Sequence, residues 1–410
     1  MIRILTCTFL TIFIVPPLHS MTVDEAVEYA LKNNPELQAF RLEEEVIKGQ
    51  GEKARLPLRA NPTVESNLAR KGKSPVEEGG KRFTDYGFKL SQEFEIAGQR
   101  GLRISIADKD LKRTGLEIKD RERTLIYEVK DAFARTVASK NKIELTQEVI
   151  RIQQELLEAT RVKFQAGDVS ALQVNLAEVE LSKAKRENLL AEREYKENLL
   201  ALQGLLGSRP DPAFSVEGAL STGNFSLPDK DRLITSTLSR RPDILAVSEE
   251  IDSTKSAVEL VKKETVPNIT VGGFYDRDER RNVVGVEFSI PIPFFDRKQA
   301  ERREALARAQ QARIRHTGLQ RTIRKEIEEA HNNLTSALGE LFLFKTEILS
   351  KAMENLGLLN LAFKEGKIGF FDVRLAQKDT LEPQFSYLDA QLKTQLAINA
   401  MDRVTGGKLK

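Results

Sequence analysis

The chain has 410 residues, of which 30% are charged and 6% aromatic, and it has no tryptophan. That composition suits long solvated helices better than thick globular cores. Its 64 basic and 61 acidic residues nearly cancel, and no basic patch is interleaved with aromatics, so no nucleic-acid partner is expected.

At the start, Arg3 precedes an apolar run from Ile4 to Val15, followed by Pro16, Pro17 and Leu18-His19-Ser20. Residues 1–20 thus read as a secretory signal peptide, with a membrane anchor as the alternative, although the run is short for a bilayer. Cys7, the one cysteine, would leave with it and lies too early for lipoprotein acylation. The remainder then has no disulfide and no apolar run long enough for a transmembrane helix, so membrane entry would have to use strands.

Residues 21–207 form the first structural repeat. A short helix ends near Pro57, and a strand pair follows within 63–96. Its strands run about Thr63 to Arg70 and Phe83 to Ile96, joined by the turn-rich KGKSPVEEGGKR. The second strand alternates: Tyr86, Phe88, Leu90, Phe94 and Ile96 take one side, and Asp85, Lys89, Ser91, Glu93 and Glu95 the other. From Gln99 to about Phe164 the apolar residues, among them Leu125, Val129, Phe133 and Val137, recur three or four apart. That spacing predicts a coiled-coil-like helix on the order of 100 Å long. A turn at Gly167 reverses it into a second helix, giving a helical hairpin over 99–205. Residues 208–230 form a connection, in which AFSVEG at 213–218 has room for a further strand.

Residues 231–407 repeat the plan. NNPELQA at 33–39 has its counterpart in RRPDILA at 240–246, and NPT at 61–63 in NIT at 268–270. YGFKLS at 86–91 matches VGVEFS at 284–289, and VKFQAGDVSALQV at 162–174 matches LAFKEGKIGFFDV at 361–373. Four stations in one order indicate a tandem duplication. The second strand pair lies within 269–292, with strands at about Ile269 to Asp276 and Val283 to Ile292 joined by RDERRN. Val284, Val286, Phe288, Ile290 and Ile292 form its apolar side. A second helical hairpin covers 297–405, with a long helix expected from about Arg297 to Phe363. Pro383 should kink or interrupt the last helix.

Strands of this length match what a tilted strand needs to cross a bilayer. Phe94, Phe274, Tyr275, Phe294 and Phe295 gather at these strands with Tyr86, Phe88 and Phe288, which favours lipid on the outer face. The alternative is two small hairpins packed on each other in water. Four strands cannot close a barrel, and open edges in lipid leave backbone groups unpaired, so several chains would have to contribute.

Enzyme signals are weak. Gly80-Lys81 and Gly407-Lys408 lack the rest of a phosphate loop. His316 and His331 lie roughly 22 Å apart on one helix at about 1.5 Å per residue, too far to share a metal ion. No cofactor, catalytic residue or metal site is expected.

VDEAVEYALKNNPEL at 23–37, LSQEFEIAGQRGLR at 90–103 and FSIPIPFFDRKQAER at 288–302 resemble the TolC family of outer-membrane efflux proteins over essentially the whole mature length. The last two motifs look most like the CzcC/CusC branch, which exports heavy-metal cations. The resemblance implies a mainly α fold with a small β part. Paired helical hairpins would build an α-barrel tunnel, and four strands per chain would add to a twelve-stranded transmembrane β-barrel in a homotrimer. It implies an outer-membrane channel reaching into the periplasm, partnered by a periplasmic adaptor and an inner-membrane pump of the resistance-nodulation-division type. Drug efflux or type I protein secretion by the same fold stays open, and so does a soluble coiled-coil adaptor.

The resemblance also assigns surfaces. Tyr86, Phe88, Leu90, Phe94, Val284, Val286, Phe288 and Ile290 would face lipid. Gly167, Asp168, Val169, Ser170, Gly366, Lys367, Ile368 and Gly369 would form adaptor-docking tips, unless these glycines are only helix C-caps. The family's LLD just beyond the second turn corresponds to Phe370-Phe371-Asp372, while its next acid is replaced by Leu375. Asp372, opposite Gln173 in the first repeat, would gate the pore or merely cap the last helix, with Arg374 available to neutralise it.

Overall fold

The computed structural model describes residues 20–71, 83–220, 229–278 and 281–406. Residues 1–19 of the expected signal peptide, the first hairpin's loop at 72–82, residues 221–228 of the connection, 279–280 of the second hairpin's turn and residue 407 lie outside them.

In chain order the elements are β1 (Ser20–Met21), α1 (Val23–Asn33), α2 (Pro35–Arg55), β2 (Thr63–Lys71), β3 (Phe83–Phe94), α3 (Gln99–Ala166), α4 (Ala171–Leu206), β4 (Ser215–Val216), α5 (Lys230–Arg240), α6 (Pro242–Lys263), β5 (Ile269–Asp278), β6 (Arg281–Ser289), α7 (Gln299–Leu343), a π turn (Phe344–Ile348), α8 (Leu349–Lys364) and α9 (Phe370–Thr405). Where one short helix was expected before each strand pair there are two. The breaks fall at Asn34 and Arg241, each extended with ψ of 120 and 127 degrees. Both residues precede a proline, whose ring excludes the helical region for its neighbour.

The described residues fall into two compact units. One takes those of Met1–Pro35, Arg123–Pro228 and Glu328–Lys410; the other takes those of Glu36–Glu122 and Asp229–Ile327. In the first unit, β1 pairs in parallel with β4, so the strand expected within AFSVEG forms. The Asn34 side chain donates to the Leu205 carbonyl at 2.8 Å, and the stripe Leu125, Val129, Phe133 and Val137 is buried. Near the helix reversals, Leu156, Leu157, Ala177, Phe363, Phe370 and Val373 form one apolar cluster, which holds the two hairpin ends together.

The long helix expected from about Arg297 starts at Gln299 and passes through a π turn at Phe344–Ile348, with Leu343 and Leu349 on either side in right-handed helical conformation. Within that turn the Thr346 hydroxyl donates to the Phe342 carbonyl at 2.8 Å, a local competitor for the helical ladder. Pro383 does not interrupt α9, which runs through it. Leu381 and Leu388 are buried on either side, and this packing outweighs the lost backbone hydrogen bond.

In the second unit the strands form one antiparallel sheet in the order β2-β3-β5-β6. The two hairpins therefore join edge to edge through β3 and β5, with Phe88 opposite Tyr275, and do not pack face to face in the way a water-soluble pair would. β6 stops at Ser289, short of the expected Ile292, because Pro291 and Pro293 have no N–H to donate.

Candidate functional site

The register sorts the sheet into two unlike faces. Val64, Leu68, Phe88, Leu90, Tyr275, Val284, Val286 and Phe288 share one face. Val64, Leu68, Val284 and Phe288 are each 69% or more exposed. The other face carries Glu65, Asn67, Asp85, Lys89, Ser91, Glu93, Asp276 and Glu287. There Lys89 donates to Glu287 at 2.8 Å. Gly87 has no room for a side chain: an added Cβ would lie 1.9 Å from Asp276 Oδ1 and 2.3 Å from Asn67 Oδ1.

Three positions at these strands stand apart from the rest of that face. Ile290, expected on the second strand, lies past the end of β6. Phe274 stands on the polar face, where its ring covers Gly285, because strand alternation places it opposite to its neighbour Tyr275. Tyr86 is half-buried: Arg277 lies 5.9 Å over its ring and donates to its hydroxyl at 3.2 Å. Tyr86 therefore belongs to a polar-tipped end of the apolar face, where Tyr275 also donates to Asn282 at 3.2 Å.

The helix reversals use one backbone device twice. Gly167 and Gly366 have φ of +83 and +75 degrees. The following N–H groups, of Asp168 and Lys367, reach back to Lys163 and Ala362 carbonyls at 2.9 and 2.8 Å, the hydrogen bonding of a Schellman cap. On the far side the Ser170 N–H donates to Gln173 Oε1 and the Gly369 N–H to Asp372 Oδ2, both at 3.1 Å. Asp372 thus caps α9 as Gln173 caps α4. Arg374 does not neutralise it, since it donates to Glu180 at 2.8 Å. Val169 is half-buried, and Ile368 packs against the apolar cluster, so neither is a purely exposed tip residue.

The junctions between strand and helix repeat a second device, which the sequence reading missed. Gln99 accepts the Ala97 N–H and Gln299 the Arg297 N–H, both at 2.8 Å. The residues just before, Gly98 and Lys298, both have positive φ, +80 and +61 degrees. A left-handed lysine is strained where glycine is not. The Lys298 N–H donates to Asp296 at 2.9 Å and thereby holds that carboxyl below its ordinary range. The Lys298 ammonium donates to Glu301 at 2.8 Å, which raises its own pKa. The Gly98-Gln99 and Lys298-Gln299 pairs were the available signal.

No group of three or more His, Cys, Asp or Glu able to hold a metal occurs among the described residues, and none of their helices is long and apolar enough to cross a membrane. Long paired hairpins carried with a two-faced antiparallel sheet define a class, the TolC-type channel proteins. Residues 26–208 and 233–407 match the family described as Outer membrane efflux protein, and the chain belongs to that family. It is 23% identical over 390 residues to the cobalt-zinc-cadmium resistance protein CzcC of Cupriavidus metallidurans, covering 94% of this chain and 90% of that one. It is 25% identical over 196 residues to the pyoverdine export outer membrane protein OpmQ of Pseudomonas putida, covering 46% and 40%. Among solved structures it resembles CusC with a TM-score of 0.79 at 16% identity, over 94% of this chain and 92% of that one. The mainly helical fold with few strands is that of these channels, and the protein is an efflux component of the outer membrane.

Proposed function

We propose that this chain is the passive outer-membrane conduit of a tripartite export system, assembled as a homotrimer and docked to a periplasmic adaptor and an inner-membrane pump of the resistance-nodulation-division type. The observation that supports this reading is the sheet, which among the described residues leaves one apolar face uncovered and two edges, β2 and β6, without partners. In lipid the face is satisfied, and the edges are satisfied only when copies join edge to edge into a closed barrel. Three four-stranded sheets supply twelve strands, within the range that such barrels use. Residues 21–207 and 231–407 act as tandem copies of one helical-hairpin unit.

The cargo we assign is heavy-metal cations, supported by the near full-length similarity to a cobalt-zinc-cadmium resistance protein. The partial similarity to a pyoverdine export protein supports the second reading, export of an organic solute. The soluble adaptor reading leaves the apolar sheet face unexplained, and a conduit requires no catalytic group. The turns at 167–170 and 366–369 would meet the adaptor. Asp372 would ring the entrance as a cation-attracting carboxylate while keeping its cap. Deleting the gene and measuring tolerance to cobalt, zinc and cadmium tests the assignment. Lost tolerance restored by the gene supports cation export, whereas unchanged metal tolerance with lost export of an organic chelator selects the second reading.

A further inference from the structure

The segment between β6 and α7 is built unlike its counterpart between β3 and α3. In the first junction the charges are engaged. Arg103 pairs with Glu95, both largely buried, and Arg100 donates to the backbone carbonyls of Arg55 and Leu56 at 2.7 and 3.1 Å. Ile96 of the first junction is 54% exposed, and the second junction turns outward further. Ile292 is 86% exposed and Phe295 87%, and the Phe294 and Phe295 rings pack edge to face at 4.9 Å between centroids. This apolar stretch continues the exposed column Val284, Val286 and Phe288 past the end of the strand. Beyond it, Arg297, Arg302 and Arg303 are exposed and make no ion pair among the described residues.

An apolar column that ends in a pair of rings and then a group of unpaired arginines has the order of a bilayer: acyl chains, interface, headgroup phosphates. We infer that Ile292, Phe294 and Phe295 with Arg297, Arg302 and Arg303 form an anchor for anionic phospholipid in the leaflet facing the periplasm, and that the first junction has no such anchor. The inference rests on the barrel reading above and commits to lipid as the occupant. Continuity with the apolar sheet face and charge complementarity to phosphate carry it; a neighbouring copy of the chain is the competing occupant.

Because the protein has no tryptophan, Phe295→Trp and Phe288→Trp each introduce a single reporter into the full-length protein. Each is reconstituted in phosphatidylcholine–phosphatidylglycerol vesicles with bromine placed shallow or deep on the acyl chains. Phe288→Trp is expected to be quenched mainly by deep bromine and Phe295→Trp mainly by shallow bromine. Shallow quenching of Phe295→Trp should be stronger when phosphatidylglycerol carries the label, and the added change of Arg297, Arg302 and Arg303 to Gln should abolish that preference. Quenching of Phe295→Trp by aqueous acrylamide but not by bromine overturns the inference, as does shielding from both, which is the neighbouring-copy outcome. Equal quenching by the two labelled lipids before the arginine changes overturns the anionic part. A Phe288→Trp untouched by bromine would instead defeat the barrel reading. Phe294→Trp serves in place of Phe295→Trp if that variant does not assemble.

Discussion

The half of the chain from α1 to α4 and the half from α5 to α9 meet the same backbone problems at matched places and solve them alike. Both break a helix before proline, both put a left-handed residue and a capping glutamine where strand gives way to helix, and both reverse at a left-handed glycine. They differ in what they present outward. Gln173 in one turn is Asp372 in the other, and the arginines engaged at one junction give way at the other to a more exposed apolar stretch flanked by arginines without ion pairs among the described residues. The difference teaches that hydrogen-bond geometry holds the shared plan, while charge and apolar surface are free to diverge. Asymmetry between the halves is therefore where function should be sought.

The strongest attempt to break that comparison is made at the sheet. Phe88→Asp and Phe288→Asp, one in each half, should each cost a few kcal/mol if both face lipid near the midplane. Neither variant should appear as a heat-resistant trimer in outer membranes on a semi-native gel. Glu287→Gln on the polar face should assemble normally, and it is a cleaner control than Ser91, which is buried. Normal assembly of either Asp variant would remove lipid from that half's face.

A smaller effect separates the two left-handed junction residues. Gly98→Ala places a side chain at positive φ and should destabilise by about 1 kcal/mol. Lys298→Gly relieves the same strain but loses the contact with Glu301, so its net change should be smaller than that of Gly98→Ala. Thermal unfolding of the detergent-solubilised protein measures both, and equal destabilisation would show that the two junctions are not equivalent.

The smallest change in stability, and the sharpest in function, is expected at the turns. Asp372→Asn keeps an oxygen for the Gly369 N–H, so unfolding should be nearly unchanged, yet cation preference in single-channel recordings should fall. Gln173→Glu should keep its cap to the Ser170 N–H and raise cation preference by adding acid to the first turn. Unchanged selectivity in both variants would leave Asp372 with its cap alone.

Sequence by itself determined the repeated plan, the long helices, the strand positions and the two-faced alternation of Phe88 and Phe288, because these depend on local periodicity and on residues such as Gly167 and Gly366 whose backbone demands are local. Tertiary structure alone decided what depends on partners distant in the chain. The edge-to-edge joining of β3 to β5 is set by cross-strand hydrogen bonds that no single strand encodes. Which of the neighbours Phe274 and Tyr275 joins the apolar face is decided by the register, which sets Tyr275 opposite Phe88. Arg374 stands two residues from Asp372 in the chain, but its carboxylate partner is Glu180, on another helix. Ile368 lies in the turn by sequence, and packing against the cluster of Leu156, Phe363 and Val373 half-buries it. Pro383 could pass through α9 because buried neighbours hold the helix, a stabilisation that exists only once the chain has packed.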